Sequence, residues 1–369
     1  MSTMQNSSRE YEDMICQSLT EYGSSDRLRK AMNKAQTDTL KIAFLGGSVT
    51  HGYTPNGMIA ENYTVLVAKK ITDNYCKDGN HIEVNTAAST TGSIVGLALA
   101  EGRLRDTEPD IVFVEFAINN AMDKLQIAYF ESLIDKILHY DTQPAVILVI
   151  LCMKDFYTCS SYMELIAKHY ELPVANVYMA LKMGIEQKVI QWECYSCDSS
   201  HPIEEGHKLI ADCILQQLEH SLAKEDEVYE LPLEPCFSRE FSSYELLDHN
   251  SLFPQEGSYF TAAVTNEMFP CGWNYSNKNG SEAFRFTLAC KSLFVLFELS
   301  NSMDYGEIEI LEEGRSIARI DGYSIYGWYN TEAKLVIHER ETKLHQLEIK
   351  IRKGDENKKF CLLGFGVIR

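Results

Sequence analysis

The residues of this sequence that could do chemistry begin with a serine that follows two glycines. Residues 42–52 read IAFLGGSVTHG, an apolar run that ends in Gly46, Gly47 and Ser48. A buried parallel strand has this pattern when it delivers one side chain to the edge of its sheet, and glycines let the backbone turn sharply there. We interpret Ser48 as a nucleophile. Because a lone hydroxyl is a weak nucleophile, this interpretation requires a base and an oxyanion site elsewhere in the chain.

Other interpretations of the same stretch fail on particular residues. The sequence is not G-x-S-x-G, because Thr50 stands where the elbow glycine of an α/β-hydrolase would be. It matches neither G-x-x-x-x-G-K-[ST] nor G-x-G-x-x-G, so nucleotide phosphate binding is disfavoured. We expect His51 in a loop that leads into a helix, where it lines a pocket or is solvated and is not the base.

Five apolar runs between residues 41 and 177 have the pattern of buried strands, and helical patterns separate them. The strands are predicted at residues 41–45, 81–85, 110–116, 145–151 and 173–177. The helices are predicted within 9–38 and at 63–75, 93–104, 127–140, 162–170 and 204–222. Strands that alternate with helices of this length imply right-handed crossovers and a parallel sheet covered on both faces. We therefore predict an α/β fold for this part of the chain.

The character of the sequence changes after Glu225. Residues 224–235 combine a run of charges with prolines, as a linker does. Beyond them, runs rich in β-branched and aromatic residues alternate with turn residues, at 259–264, 284–288, 293–297, 307–311, 334–338, 345–351 and 360–368. Many strands at this spacing predict an all-β sandwich or jelly roll. The predicted domains are a helical segment at 1–40, an α/β domain at 41–225 and a β domain at 226–369.

The composition limits the partners and the compartment. The formal net charge is -19, from 53 acidic and 34 basic residues. Such a surface repels nucleic acid and anionic membranes and argues against polyanionic substrates, whereas a neutral substrate is compatible with it. The N-terminus has no apolar signal core and no run is long enough to span a membrane, so we expect a cytoplasmic protein. Cys194 and Cys197 form a C-x-x-C without a second pair at zinc spacing, so no metal site is expected.

Four polar blocks stand at the ends of the predicted elements. Besides Gly46-Gly47-Ser48, they are residues 85–93, residues 116–120 (FAINN) and residues 198–202 (DSSHP). The first three blocks follow strands one, two and three, so they should meet at one rim of the sheet, where ligand sites of open α/β sheets lie. The loop before the last helix can close on the same rim. Each block alone is weak evidence, but the four in this order predict a hydrolase site.

Together the blocks resemble the SGNH (GDSL-type) hydrolase family of serine esterases over roughly residues 40 to 220. The resemblance implies a flavodoxin-like three-layer α/β/α domain with a five-stranded parallel sheet. It also implies that Ser48 is the nucleophile and His201 the general base. Asp198, three residues before the histidine, would fold back onto its ring and orient it. This triad needs no metal and no other cofactor.

The resemblance further implies three hydrogen-bond donors for the oxyanion. They are the N–H of Ser48, a backbone N–H from residues 85–93 and the side-chain amide of Asn119. The sequence departs from the family at the second donor, which is normally a glycine. Thr90 stands at the expected position and Gly92 is the only glycine inside that block. Any residue except proline carries an N–H, so the second donor is Thr90 or Gly92.

Enzymes of this family with an appended β-sandwich resemble carbohydrate acetylesterases. We therefore expect an esterase that removes acetyl groups from xylo-oligosaccharides or other hemicellulose fragments, and homo-oligomer contacts through the β domain. Two alternatives remain open. One is an esterase, lipase or thioesterase that acts on another small acyl ester. The other is a carbohydrate-binding protein whose hydrolase domain has lost its activity.

Several residues near the blocks are predicted to contact the substrate. The stretch 53–57 follows the nucleophile closely and should border the leaving-group site. Trp192 lies just ahead of the Asp198 block, and an exposed indole there could stack on a sugar, as could Trp273 or Trp328 in the β domain. Ala117 and Asn120 stand where the family has glycine and aspartate, and neither departure removes a triad member. The predicted substrate-binding set is His51, Tyr53, Asn56, Asn120 and Trp192.

Overall fold

A computed structural model describes residues 8–85, 92–225, 228–278, 280 and 282–369. The chain divides into two compact units. The first consists of Met1–Gly96 and Arg103–Ser242, and the second of Leu97–Gly102 and Ser243–Arg369. The sequence places the start of the β domain at residue 226, ahead of the division that the contacts give.

The first unit alternates helices with short strands, as its sequence pattern predicts. In chain order its elements are α1 (Ser8–Cys16), α2 (Asp26–Ala35), β1 (Leu40–Gly46), α3 (Ser48–His51), β2 (Tyr53–Thr54), β3 (Gly57–Met58), α4 (Tyr63–Tyr75), β4 (His81–Asn85), α5 (Ser93–Leu99), β5 (Ile111–Glu115), α6 (Lys124–Leu138), β6 (Ala145–Val149), α7 (Ser160–His169), β7 (Val174–Ala175), α8 (Val177–Glu186), α9 (Trp192–Tyr195) and α10 (Glu204–Ala223). A 3₁₀ turn at Lys77–Gly79 precedes β4 and a π-helical turn at Ala100–Leu104 follows α5. None of the helices in the described ranges is long and apolar enough to cross a membrane.

The main sheet of the first unit has five parallel strands in the order β4-β1-β5-β6-β7. Numbered along the chain, this is the order 2-1-3-4-5 of flavodoxin-like doubly wound sheets. The strand order reverses between β1 and β5, and ligands bind at such a switch point, outside the carboxyl ends of the strands. The sheet confirms the predicted fold class and puts the ends of β1 and β5 side by side.

Strands β1, β5, β6 and β7 of this sheet are largely buried, which explains why they appear in the sequence as continuous apolar runs, whereas the edge strand β4 exposes Ile82. Every residue of β5 and β6 is buried. Helices α1, α2, α4, α8 and α10 share one core cluster with β1, with Met14, Leu28, Val67, Leu181 and Ile214 among its members. The two N-terminal helices therefore pack in the same core as the sheet.

Several helices of the first unit differ from the sequence-based expectation. His51 is not in a loop that leads into a helix; it is the last residue of the short helix α3, which begins at Ser48. The helix predicted at 93–104 is regular only to Leu99 and then widens into the π-helical turn. Helices α8 and α9 were not predicted at all. They occupy the chain between β7 and the Asp198 loop, so they help to fix where that loop begins.

The second unit contains only strands among its named elements after residue 243. They are β8 (Glu245–Leu247), β9 (Phe260–Val264), β10 (Cys271–Tyr275), β11 (Phe284–Ser300), β12 (Glu307–Glu312), β13 (Arg315–Asp321), β14 (Trp328–Ile351) and β15 (Cys361–Ile368). They form one eight-stranded sheet in the order β13-β12-β14-β11-β15-β10-β9, and β8 pairs with β15. The pairings between these strands are antiparallel.

The long strands β11 and β14 let this sheet curl around its own core. Their pairing shows register shifts between Cys290 and Ser292, between Leu293 and Phe294, and between Leu299 and Ser300. Such irregularities bend a strand and increase its twist. Side chains from nearly every strand of the unit then meet in one cluster, in which Trp273 is fully buried. The predicted all-β domain is confirmed, and the finer jelly-roll label stays a prediction.

The segment after α10 belongs by its contacts to the first unit. Glu131 of α6 is fully buried, and its carboxylate accepts the backbone N–H groups of Cys236, Phe237 and Ser238 and the hydroxyl of Tyr170. A buried carboxylate is stable when it is paired or hydrogen-bonded in this way. The composition of residues 224–235 resembles that of a linker. Composition cannot reveal that Glu131, on a helix distant in the chain, binds the backbone N–H groups of residues 236–238.

Candidate active site

The turn between β1 and α3 presents Ser48 at the switch point of the sheet. Gly46 is the last residue of β1 and Ser48 is the first of α3, so only Gly47 lies between strand and helix. A β-carbon on Gly47 would collide with the side-chain amide of Asn119, and one on Gly46 would collide with Thr50 Oγ1. Glycines at both positions therefore let the strand end, the amide and the helix approach one another closely.

Ser48 lies at the N-terminal end of a single helical turn. The N–H groups of the first residues of a helix have no partner within the helix, so the Ser48 N–H can point to a ligand. Helix α3 ends at Gly52, whose φ of +101° is in the left-handed region that glycine adopts readily. The Ser48 side chain is nearly enclosed, with 8% of the residue exposed.

The loop between α9 and α10 places an imidazole against this serine. His201 Nε2 lies 3.0 Å from Ser48 Oγ, and His201 Nδ1 lies 2.9 Å from Asp198 Oδ2. With the proton on Nδ1, the ring donates to the carboxylate and accepts from the serine hydroxyl. The structure thus brings together the three side chains that the sequence assigns to nucleophile, base and orienting acid, in hydrogen-bonding order.

Asp198 is held as a carboxylate by short local hydrogen bonds. Its Oδ1 accepts the backbone N–H groups of Ser200 and His201, each at 2.7 Å. Burial would raise the pKa of the Asp198 carboxyl, but these N–H groups and the His201 ring together lower it below the ordinary value. The negative charge that would stabilise a histidine cation is therefore present at neutral pH.

Trp192 and Ser196 support this loop from its N-terminal side. Trp192 Nε1 donates to the backbone carbonyl of Asp198 at 2.8 Å, and the Ser196 hydroxyl accepts the N–H of Asp198 at 3.0 Å. Trp192 is only 5% exposed and its ring packs edge-on against Tyr195. The expectation of an exposed indole at Trp192 that stacks on a sugar is wrong, because the indole is buried and donates to the carbonyl of Asp198.

The candidate oxyanion donors lie on the turns that follow β1 and β5. The Asn119 amide lies against Gly47, the residue before the nucleophile, and Asn119 Oδ1 has no hydrogen-bond partner within the described residues. Gly92, just before α5, lies beside the same turn, since a β-carbon on it would meet Asn120 Oδ1 at 2.9 Å. Thr90, the other candidate for the second backbone donor, lies outside the described residues, so this choice stays a prediction.

Asn120 has a different role from the substrate contact that the sequence suggested. Its Oδ1 accepts the N–H of Ser93, and its Nδ2 donates to Ser93 Oγ and to the hydroxyl of Tyr162. The residue is buried. The prediction that Asn120 contacts substrate is therefore wrong. Its amide ties the turn after β5 to the start of α5, which keeps Asn119 and Gly92 next to each other.

The β2–β3 hairpin follows α3 directly and carries the other predicted substrate contacts. The rings of His51 and Tyr53 meet edge to face with their centroids 5.6 Å apart. Asn56 is exposed at the tip of the hairpin, where Thr54 Oγ1 accepts its N–H. These residues are close in the chain to Ser48, and their contact with substrate stays a prediction.

Glu115 and Thr50 are site residues that the sequence analysis missed. Glu115 ends β5 and is fully buried, and Thr50 Oγ1 of α3 donates to its Oε2 at 3.1 Å. A carboxylate inside an otherwise apolar buried run could have revealed it, because charged side chains are almost never fully buried without partners. The described residues contain no group of three or more His, Cys, Asp or Glu side chains that could hold a metal ion.

No family model matches the sequence, and no curated protein sequence matches it either. Among solved structures, the chain is similar to a two-domain esterase active on acetylated mannans, which was co-crystallised with mannopentaose. That match has a TM-score of 0.82 at 23% identity and covers 96% of this chain and 98% of the other. A second structure of a two-domain esterase active on acetylated mannans matches with the same score and identity.

Matches to single-domain structures cover only about half of this chain. A catalytic mutant of an acetylxylan esterase from Geobacillus stearothermophilus matches at 16% identity with a TM-score of 0.40, and covers 48% of this chain and 94% of its own. The similarity to the two-domain esterase, in contrast, extends over nearly the whole of both chains. At the level of the fold, it confirms the two-domain architecture that the resemblance implied.

Proposed function

We propose that this chain, which shares the fold of a two-domain esterase, is a serine esterase that removes acetyl groups from carbohydrate. The observation that carries the proposal is the chain of hydrogen bonds from Ser48 Oγ through His201 to Asp198, with distances of 3.0 Å and 2.9 Å. In this geometry a base touches the hydroxyl it must deprotonate, and an acid orients the base.

The reaction follows from these contacts in two halves. His201 Nε2 takes the proton as Ser48 Oγ bonds to the carbonyl carbon of the ester, and the carbonyl oxygen becomes an oxyanion. The bond to the sugar oxygen then breaks, and His201 gives the proton to that oxygen. In the second half, water gives a proton to His201 and attacks the acetyl carbon; acetate leaves and the proton returns to Ser48 Oγ.

The oxyanion forms where the turns after β1 and β5 meet. We assign its stabilisation to the Ser48 N–H, the Asn119 side-chain amide and a backbone N–H from Thr90 or Gly92. Donors held in place before the reaction stabilise the transition state without reorganising, and removing one typically costs about 10²–10³ in kcat. The contact of the Asn119 amide with Gly47 supports this assignment, because it keeps the amide next to the nucleophile.

Three observations favour an acetylated oligosaccharide as substrate. The similar two-domain structure belongs to an esterase active on acetylated mannans. The net charge of -19 suits a neutral substrate and disfavours an anionic one. The second unit exposes Trp328, 59% accessible beside Tyr326, and an indole face is a stacking surface for a sugar ring, whereas Trp273 is buried in the core. We propose manno- or xylo-oligosaccharides from hemicellulose as the substrate class.

The proposal is tested by acetate release from acetylated manno- and xylo-oligosaccharides, with the wild type and Ser48→Ala compared. We expect the wild type to release acetate and the variant to lose about 10³-fold or more, since the members of a triad act as a unit. Equal rates for the two proteins would remove Ser48 from the mechanism. p-Nitrophenyl acetate, butyrate and octanoate in parallel separate the alternatives, because a lipase would prefer the longer chains. Binding of oligosaccharide by both proteins with no acetate release would instead indicate a carbohydrate-binding protein.

A further inference from the structure

A carboxylate that the mechanism above does not use lies buried beneath the nucleophile turn. Glu115 ends β5, pairs in register with Gly46 of β1, and has no exposed surface. The hydroxyl of Thr50 donates to its Oε2 at 3.1 Å, and the backbone N–H groups of Gly47 and Ala117 favour its charged form; all three donors are neutral. A carboxylate without an opposite charge is costly to bury, so hydrogen bonds to fixed donors must stabilise it.

The three donors to Glu115 flank the catalytic groups in the chain. Gly47 immediately precedes Ser48, and Thr50 follows it by two residues within α3. Ala117 lies two residues before Asn119, whose amide packs against Gly47. One carboxylate therefore connects both sides of the nucleophile to the turn that carries the candidate oxyanion donor.

The hydroxyl of Thr50 continues the hydrogen bonds away from the site. Thr50 Oγ1 donates to Glu115 Oε2, so it accepts from the hydroxyl of Tyr63, which lies 2.8 Å away. Tyr63 begins α4 and is fully buried, and its ring stacks on that of His207. Burial lowers the pKa of His207 to about 4, so this neighbour is neutral at neutral pH and supplies no charge to Glu115.

We propose that Glu115 is a positioning residue that holds the Ser48 turn and the Asn119 turn in catalytic register. Resting on the proposed function, the inference adds a residue that acts through others and touches no substrate. Thr50 donates to one of its oxygens, and the backbone N–H groups of Gly47 and Ala117 lie close enough to lower the pKa of the carboxyl. A neutral glutamine has one acceptor oxygen and turns its amide N–H groups toward those donors, so the two turns must separate.

The ionisation of Glu115 gives the proposal a readout that packing alone would not produce. Burial raises the pKa of Glu115 to about 7, against the hydrogen bonds from Thr50, Gly47 and Ala117 that lower it. The titratable groups that face the carboxylate are Tyr63 of α4 and Tyr195 of α9, and burial raises the pKa of both well above 10. Below neutral pH, protonation of Glu115 removes an acceptor, so activity should fall as Glu115 takes up its proton.

The experiment measures kcat, KM and their pH dependence for p-nitrophenyl acetate, with active sites counted by a serine-directed phosphonylating reagent. For Glu115→Gln we expect kcat per active site to fall about tenfold or more while KM changes by less than about twofold. The acid limb of log kcat should be steeper in the wild type than in Glu115→Gln, because only the wild type can lose an acceptor by protonation at this position. Wild-type kcat and an unchanged acid limb in Glu115→Gln would overturn the proposal.

A second pair of variants decides the matter if Glu115→Gln does not fold. Thr50→Ser keeps the hydroxyl that donates to Glu115, and Thr50→Val removes it at nearly constant volume. We expect Thr50→Ser to retain wild-type kcat and Thr50→Val to lose about three- to tenfold, the range of one neutral hydrogen bond. Equal kcat for both variants would overturn the proposal. Ser48→Ala separates this failure from that of the proposed function, because an inactive Ser48→Ala enzyme keeps the nucleophile assignment whatever the Glu115 and Thr50 variants show.

Discussion

The two loops that carry the triad are built in opposite ways. The nucleophile turn, residues 46–52, is fixed by partners far along the chain: Glu115, Asn119 and Tyr63. The acid–base loop, residues 196–201, is fixed mainly from within, because Asp198 accepts the N–H groups of the two residues that lead to and include His201. The turn depends on the tertiary fold, whereas the loop is largely self-sufficient once its ends are placed.

The two loops also differ in their exposure to solvent. Ser48 is 8% exposed, whereas the side chains of His201 and Asp198 are 31% and 37% exposed. Hydrogen bonds around the serine therefore act in a drier medium, where a misplaced or unpaired group costs more. Substitutions far from Ser48 in the sequence should disturb the nucleophile, whereas only local substitutions should disturb the base.

The largest effect is expected within the acid–base loop, at Asp198. Asp198→Asn keeps the shape of the side chain but removes the charge and favours the wrong tautomer of His201, so kcat should fall by about 10⁴-fold. Acetate release measures it. Asp248→Asn is the matched control, since Asp248 of the second unit also accepts an N–H from two residues later and has no histidine partner. A loss of less than tenfold in Asp198→Asn would mean that the loop works without its acid.

The next effect is expected in the nucleophile turn, at Gly47. Gly47→Ala would push its β-carbon into the Asn119 amide, so kcat should fall by about 10²–10³-fold, the loss of one oxyanion donor. Gly102→Ala is the control, because a β-carbon there meets only Leu246 at 3.9 Å. The same kinetic assay compares the two variants. Full activity in Gly47→Ala would show that catalysis does not require the Asn119 amide in its position next to residue 47.

A third prediction concerns how the free energy of unfolding varies with pH through the carboxyl beneath the nucleophile turn. The pKa of Glu115 is about 7, above its ordinary value of 4.5. Between pH 4.5 and 7 the folded state therefore keeps a proton on Glu115 that the unfolded state releases. The stability of the folded state that this proton favours is lost as pH rises. Relative to Glu115→Gln, the wild type should lose about 3 kcal/mol of unfolding free energy between pH 4.5 and 7. Hydrogen exchange of peptides from β1 and β5, compared at each pH, measures this difference.

The control for that measurement is Glu193, an exposed carboxyl just before the acid–base loop in the chain. Glu193 pairs with Lys154, and the hydrogen bond from this lysine lowers the pKa of Glu193 below its ordinary value. The difference between the wild type and Glu193→Gln should therefore not fall with pH in the same window. If the difference in unfolding free energy between the wild type and Glu115→Gln also stays constant with pH, Glu115 is ionised over the whole window.

The smallest effect is expected for a support of the acid–base loop. Ser196→Ala removes a hydroxyl that accepts the N–H of Asp198 and lies within hydrogen-bond distance of its carbonyl and its Oδ1. Because the backbone N–H groups of Ser200 and His201 still orient the carboxylate, kcat should fall only about three- to tenfold. Ser199→Ala is the control, since the contact of Ser199 with Lys154 uses its backbone carbonyl. A loss as large as that of Asp198→Asn would contradict a self-sufficient loop.

The sequence predicts best those features that depend on neighbours in the chain. Helix α4 and strand β4 have the predicted limits, and the Asp198 and His201 pair is a local spacing that folds back on itself. Strands β1 and β5 could also be predicted from the sequence, because strands buried on both faces have unbroken apolar runs. These predictions need no knowledge of distant partners.

The sequence could not reveal features that depend on distant partners. Glu115 looks like an isolated charge at the end of an apolar strand until the fold brings Thr50 and Gly47 to it. Strand β10 was not predicted, and the structure uses its Gly272 to admit the carbonyl of Leu362 from the paired strand β15. Trp192 was misread for the same reason, since burial and the bond to the Asp198 carbonyl arise only in the folded unit.

The central claim is that Ser48 is activated by His201 and forms the covalent intermediate. A fluorophosphonate reports on it directly, because an activated serine oxygen attacks phosphorus, fluoride leaves, and the adduct survives peptide mass mapping. We predict one adduct in the wild type, on the peptide that contains Ser48, none in Ser48→Ala, and greatly slowed labelling in His201→Ala. An adduct on another residue, or unlabelled wild-type protein that still releases acetate, would contradict the account.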